Sequence, residues 1–368
     1  MKPAPRWALL AWIAGGQALF AQVPPDPAEE EAPGITIEML DQMSRLPGGL
    51  GPLPPVSIPL DNPQSVGKIE LGRKLFFDKR LSLDRRQSCA SCHDPEKGFS
   101  DGRSRSVGRG GKRLARHSPS VLNAAYNSRQ FWDGRAASLE DQAEGPMLAA
   151  SEMGMGSARR LVARLQGIPE YIRQFQAVFG GRPTLQNATR GIAAFERTLV
   201  TPDSPFDAYA RGDKRALSDS EKRGLILFIG KASCVQCHKG PGFMDDRFHR
   251  LGVRKNAVGA RDLGRFAVTG RKEDRRAFKT PTLLNVSLTA PYTHDGALKT
   301  LEQVIDLYDR GGDKDVEKSP LIFELGLSTG EKADLLAFLL SLTGRPPVVS
   351  APPISAESRA SQRWRASR

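Results

Sequence analysis

All four cysteines of the chain fall in two copies of one pattern, Cys89-Ala90-Ser91-Cys92-His93 and Cys234-Val235-Gln236-Cys237-His238. Two thiols at this spacing, on a turn entering a helix, can add across the two vinyl groups of one porphyrin, and the histidine that follows can then reach the iron. The pattern predicts two covalent c-type haems, one on Cys89 and Cys92 with His93 as iron ligand, the other on Cys234 and Cys237 with His238. Two other chemistries use paired thiols. A four-thiolate zinc site would leave both histidines idle and would have to gather pairs that lie far apart. A redox-active Cys-X-X-Cys pair gives no reason for a histidine after each copy.

The elements that must position these groups repeat as well. Gly72, Leu75 and Phe76 ahead of the first motif match Gly224, Leu227 and Phe228 ahead of the second; behind them, Phe99, Asp101 and Arg103 match Phe243, Asp245 and Arg247. Helical apolar spacing covers Ser157–Phe179, Gln186–Leu199, Ser218–Ile229, Thr300–Tyr308 and Ser328–Leu342, the last opening on a capping box of Ser328 and Glu331. No stretch alternates as a large sheet would. The expected fold is mainly α, with two cytochrome c-like domains that each wrap one haem, at 61–205 and 206–344. Their boundary is expected in the Pro-containing stretch Pro202–Arg215.

Lys2 and Arg6 precede an apolar run from Trp7 to Phe20 and a small residue, Ala21, the layout of a secretory signal over 1–21. A retained anchor is the alternative, but the run is shorter than the ~20 residues that span a bilayer. Periplasmic location is expected, with no transmembrane segment after cleavage. Residues 22–60 read as an extension or linker. Residues 345–368, with Arg359, Arg363, Arg365 and Arg368 among Ser, Ala and Pro, read as a basic disordered tail. The net charge of +13 favours an acidic partner protein or an anionic surface, and nucleic acid is not expected.

From about Leu71 to Leu342 the chain resembles the bacterial diheme cytochrome c peroxidase family, including its MauG branch. The resemblance rests on both haem motifs, Ser118-Pro119-Ser120 with Asn123, Phe131-Trp132-Asp133-Gly134-Arg135, the stretch Phe278–Gly296, and Thr300-Leu301-Glu302. It implies that hydrogen peroxide meets the N-terminal haem and that the C-terminal haem transfers electrons. It implies that Trp132 relays charge between the haems, that Gln142 lies beside the peroxide, and that Glu152 is the acid–base group. It also implies that Tyr308, eight residues after Thr300, is the sixth ligand of the second iron, as in the MauG branch; no methionine follows Met244 to take that role.

Arg109 stands where the peroxidase branch has a distal histidine, which suggests an open sixth position on the first iron. His117 replaces the asparagine of the family's calcium site, whose other ligands would be the carbonyls of Thr289 and Pro291. His249 and His294 are alternative ligands of the second iron, although a structural hydrogen bond to haem propionate or backbone is the reading preferred for each. The expected activity is peroxide reduction, with a small redox protein as donor, or with a protein substrate as in MauG-like chemistry. A reading of another class is an electron carrier without substrate, which would need both irons closed by strong ligands.

Overall fold

The computed structural model describes residues 49–253, 262–315 and 317–353, all within a unit that runs from Ile35 to Arg368. The signal-like start, most of the 22–60 extension and the four arginines of the C-terminal tail lie outside the described residues.

Helices form where a capping side chain precedes an apolar face. Ser65 opens α1 (Val66–Phe77) by accepting from Lys68 N, and Ser138 opens α2 (Leu139–Leu148) by accepting from Asp141 N. Ser157 caps α3 (Ala158–Gln166), Pro169 begins α4 (Pro169–Phe179), and Thr184 caps α5 (Leu185–Glu196). Ser204 and Ser218 cap α6 (Pro205–Ala210) and α7 (Asp219–Ile229). After the single turn of α8 (Phe266–Thr269), Thr300 caps α9 (Leu301–Asp309) and Ser328 caps α10 (Thr329–Ser341). Each such cap satisfies an amide N–H that the first helical turn leaves without an acceptor. The box of Ser328 and Glu331 is formed. Among the described residues the sheet is limited to β1 (Phe248–His249) paired antiparallel with β2 (Phe278–Lys279), so the chain is mainly α. Among them, too, no helix is long and apolar enough to cross a membrane.

One expected helix is two. The apolar spacing over Ser157–Phe179 runs in phase through a break at Gly167 and Ile168, because Leu161, Leu165, Tyr171 and Phe175 bury into the same core from both sides of it. Pro169 lacks the N–H that a continuous helix would use there. Within the Pro202–Arg215 stretch, α6 sends Phe206 and Tyr209 into a core. Residues 345–353, expected to begin a disordered tail, instead return to the N-terminal half. Val349 packs there, and Arg73 Nη1 donates to Ser350 O at 2.9 Å.

Two apolar cores are built alike. The first gathers Leu71, Phe76, Phe99 and Phe195, with α1 packed on α5; the second gathers Leu225, Phe228, Phe243 and Phe338, with α7 packed on α10. The repeated glycines lie at these crossings. A Cβ on Gly72 would sit 1.9 Å from Gly191 O, and one on Gly224 2.0 Å from Asp334 O. Backbone cannot yield as a side-chain tip can, so Gly72→Val and Gly224→Val are each expected to destabilise the fold by about 1–3 kcal/mol. Thermal melts followed by circular dichroism check this; unchanged melting temperatures would show that the helices do not depend on these contacts.

Candidate functional site

Each Cys-X-X-Cys-His motif is a turn of 3-10 helix, and in both copies the histidine N–H reaches the carbonyl of the first cysteine at 2.9 Å. Among the described residues the two cysteine pairs do not come together, and Cys237 lies instead with Asp245 and His249, which removes the four-thiolate reading. Burial pushes Cys92 and Cys234 up to about 12 and Cys237 up to about 11. A redox-active pair needs the opposite shift.

The two histidines are oriented identically. His93 Nδ1 lies 3.1 Å from Phe99 O, and His238 Nδ1 lies 2.9 Å from Phe243 O. A carbonyl only accepts, so Nδ1 carries the hydrogen in both rings and Nε2 keeps its lone pair for a metal. Burial favours the neutral ring, lowering His238 to about 4 and His93 in the same direction. Phe99 and Phe243 aim their carbonyls from the left-handed region, at φ +56° and +50°. Sequence marked them as a repeat without showing this role.

Both motifs open into one cavity of about 1070 Å³, just above the roughly 300–1,000 Å³ usual for a single small ligand. Two thiols and a free imidazole nitrogen from each motif, in a largely apolar enclosure, fit two covalently held porphyrins.

The wall of this cavity contains a second repeat. Leu139, Gln142, Ala143 and Pro146 of α2 line it, and so do Leu301, Val304, Ile305 and Tyr308 of α9, at the same helical spacing from the same cap position. Pro146 therefore stands where Tyr308 stands in the other half. Proline carries no side-chain donor atom; a phenol does. Tyr308 is half-buried in the cavity wall, and desolvation, ahead of the neighbouring Cys234 and Cys237 thiols, raises its pKa.

After Pro146 the chain turns back. Met153 N donates to Pro146 O at 3.0 Å, and Gly154 takes φ +75°, which leaves Glu152 lining the cavity beside Gln142. Burial raises the Glu152 carboxyl above the ordinary range, with Arg135 opposing it. Trp132 lines the same cavity. Its Nε1–H donates to His117 O at 3.0 Å, and its own carbonyl accepts from Lys279 N at 2.8 Å, so the indole is held from two sides.

Arg109 does not line the cavity; its Nε donates to Ala150 O at 3.1 Å. His117 is buried with Nδ1 2.8 Å from Arg103 O and its ring within hydrogen-bonding reach of the Thr289 carbonyl. Calcium takes six to eight oxygen ligands. An imidazole facing the Thr289 carbonyl fits that poorly, although Thr289 and Pro291 both line the cavity. His249 Nε2 is tied to Asp245 Oδ2 at 2.8 Å. The His294 ring stacks on Phe278 with centroids 3.7 Å apart.

A family model described as di-haem cytochrome c peroxidase matches residues 67–215. The chain is 42% identical over 330 residues to cytochrome-c peroxidase IdrP1 of Pseudomonas sp. (strain SCT), covering 82% of this chain and 87% of that protein. It is 43% identical over 301 residues to methylamine utilization protein MauG of Methylorubrum extorquens, covering 80% and 83%. Among solved structures, a MauG-like protein associated with microbial copper homeostasis aligns with a TM-score of 0.74 and 36% identity over 82% of this chain and 95% of that one. With two haem-attachment motifs facing one cavity and relatives that match most of its length, the chain belongs to the di-haem cytochrome c peroxidase family of oxidoreductases.

Proposed function

We propose that the protein is a periplasmic enzyme that reduces hydrogen peroxide at a haem on Cys89, Cys92 and His93, using electrons passed through a haem on Cys234, Cys237 and His238, with Tyr308 closing the second iron as in MauG. The observation that carries this reading is the pairing of Pro146 with Tyr308 at equivalent positions of α2 and α9. An electron carrier would need both irons closed, and Pro146 offers nothing to close the first.

When bound, the haems supply the iron that takes the peroxide and stores the oxidising equivalents. The remaining work falls to side chains. Glu152, with a carboxyl raised by burial, takes the proton from one peroxide oxygen and returns it to the other, the oxygen that leaves as water. The Gln142 amide orients the peroxide. The Trp132 indole, fixed by His117 O, lies on the route for electrons between the two sites. A periplasmic redox protein, or a protein whose side chains are oxidised in MauG-like fashion, completes the cycle; the basic surface suits an acidic partner.

Tyr308→Phe tests the reading. The variant is expected to keep both haems and to open the second iron to cyanide or azide, with loss of a low-spin ferric signal in electron paramagnetic resonance. The wild-type protein is expected to show a fast, stoichiometric spectral change with peroxide. An intact low-spin signal in Tyr308→Phe would dismiss the tyrosine ligand, and a wild-type spectrum unmoved by peroxide would dismiss the peroxidase.

A further inference from the structure

Helices α5 and α10 occupy equivalent seats. At the first crossing Gly72 meets Gly191 O with Phe195 Cβ beside it; at the second Gly224 meets Asp334 O with Phe338 Cβ beside it. The residue after each phenylalanine lines the cavity, and the two differ: Leu339 in the second half, Glu196 in the first. Leucine is what an apolar porphyrin seat calls for. Glu196 is 3% exposed, and its Oε2 is enclosed without a hydrogen-bond partner.

The neighbouring cation does not serve it. Arg197, next in the chain, points both guanidinium nitrogens at Glu140 on α2, at 2.7 and 3.1 Å, and Asn62 Nδ2 donates to the same carboxylate at 2.6 Å. On the motif side the negative charges of Glu196 and, more weakly, Glu152 both act on Cys89. Burial first, then the negative charge of Glu140, push Glu196 up to about 8, against the pull of Arg197. Such a group costs stability that a leucine would not.

We propose that Glu196 is a redox-linked proton site of the first haem, keeping its proton while that haem is reduced and releasing it to water when the haem gives up an electron. The inference rests on the reading that this haem is seated on Cys89, Cys92 and His93. One electron leaves the haem, one proton leaves the carboxyl, and the charge in the enclosure is unchanged; reduction reverses both. The coupling is reciprocal, because a positive charge gained near Cys89 favours the carboxylate, and the carboxylate favours the oxidised haem. At the equivalent position in the second half stands Leu339, which has no proton to exchange.

Spectroelectrochemical titration of the complete two-haem protein between pH 6 and pH 9 tests this with an electrode and no peroxide. The potential of the first haem should fall as pH rises, by at most about 59 mV for each tenfold drop in proton activity. Glu196→Gln and Glu196→Leu should flatten that slope while leaving the second haem's potential in place. Redox-difference infrared spectra of the wild type provide a check that needs no variant: a protonated carboxyl band should vanish on oxidation. A pH-independent wild-type potential, a slope that survives in Glu196→Gln, or a wild-type spectrum without the carboxyl band would each overturn the proposal. A flat titration in a protein that still consumes peroxide would overturn the proton site alone, and a sloped titration in a protein inert to peroxide would overturn the peroxidase reading alone.

Discussion

Glu152→Gln is expected to slow the reaction with hydrogen peroxide by about 10²–10⁴-fold, the range that a positioned acid–base group contributes, while both haems stay attached. Glutamine keeps the shape of the side chain and loses only the proton transfer. Because burial raises the Glu152 carboxyl, the wild-type rate should climb with pH through a value above the ordinary carboxylate range, as the group becomes able to accept a proton. The variant should lose that dependence. Stopped-flow absorbance across pH reads both effects. An unchanged rate constant would take Glu152 out of the chemistry, and loss of haem would make it a structural residue.

The second large effect is expected at the attachment cysteines. Cys89→Ala together with Cys92→Ala should leave the first haem with no thioether, and Cys234→Ala together with Cys237→Ala should do the same to the second. Haem-stained denaturing gels and pyridine haemochrome assays should then find about half the covalent haem of the wild type. The apolar cavity that both motifs share should also lose stability with the missing group, since a bound cofactor stabilises the folded state by mass action. A wild-type band without haem stain would remove the foundation of the whole reading.

Sequence by itself determined the chemistry of attachment and the start of most helices. Both are local. Two cysteines and a histidine need only one turn to present themselves to a porphyrin, and a serine or threonine caps the helix that begins beside it, as at Ser218, Thr300 and Ser328. The break at Pro169 and the short helix in Pro202–Arg215 were also within reach of local signals. Pro169 cannot donate to a running helix, and Ser204-Pro205 followed by Asp207 is a helix start. Apolar spacing alone misses such features, since it continues in phase across a break that buries both sides in one core.

The distinction between the two haem sites was decided by the tertiary structure. The motifs repeat at one sequence offset, while α2 and α9 repeat at a longer one, because the segment after the second motif is longer than the segment after the first. Only the fold brings both repeats to one cavity and shows that Pro146 answers Tyr308 and that Glu196 answers Leu339. In the sequence Glu196 is one more polar residue at the end of an amphipathic helix. Its isolation comes from Glu140 claiming Arg197, a contact between residues far apart in the chain. Partnership and burial of a charge belong to three-dimensional neighbours, and no spacing along the chain records them.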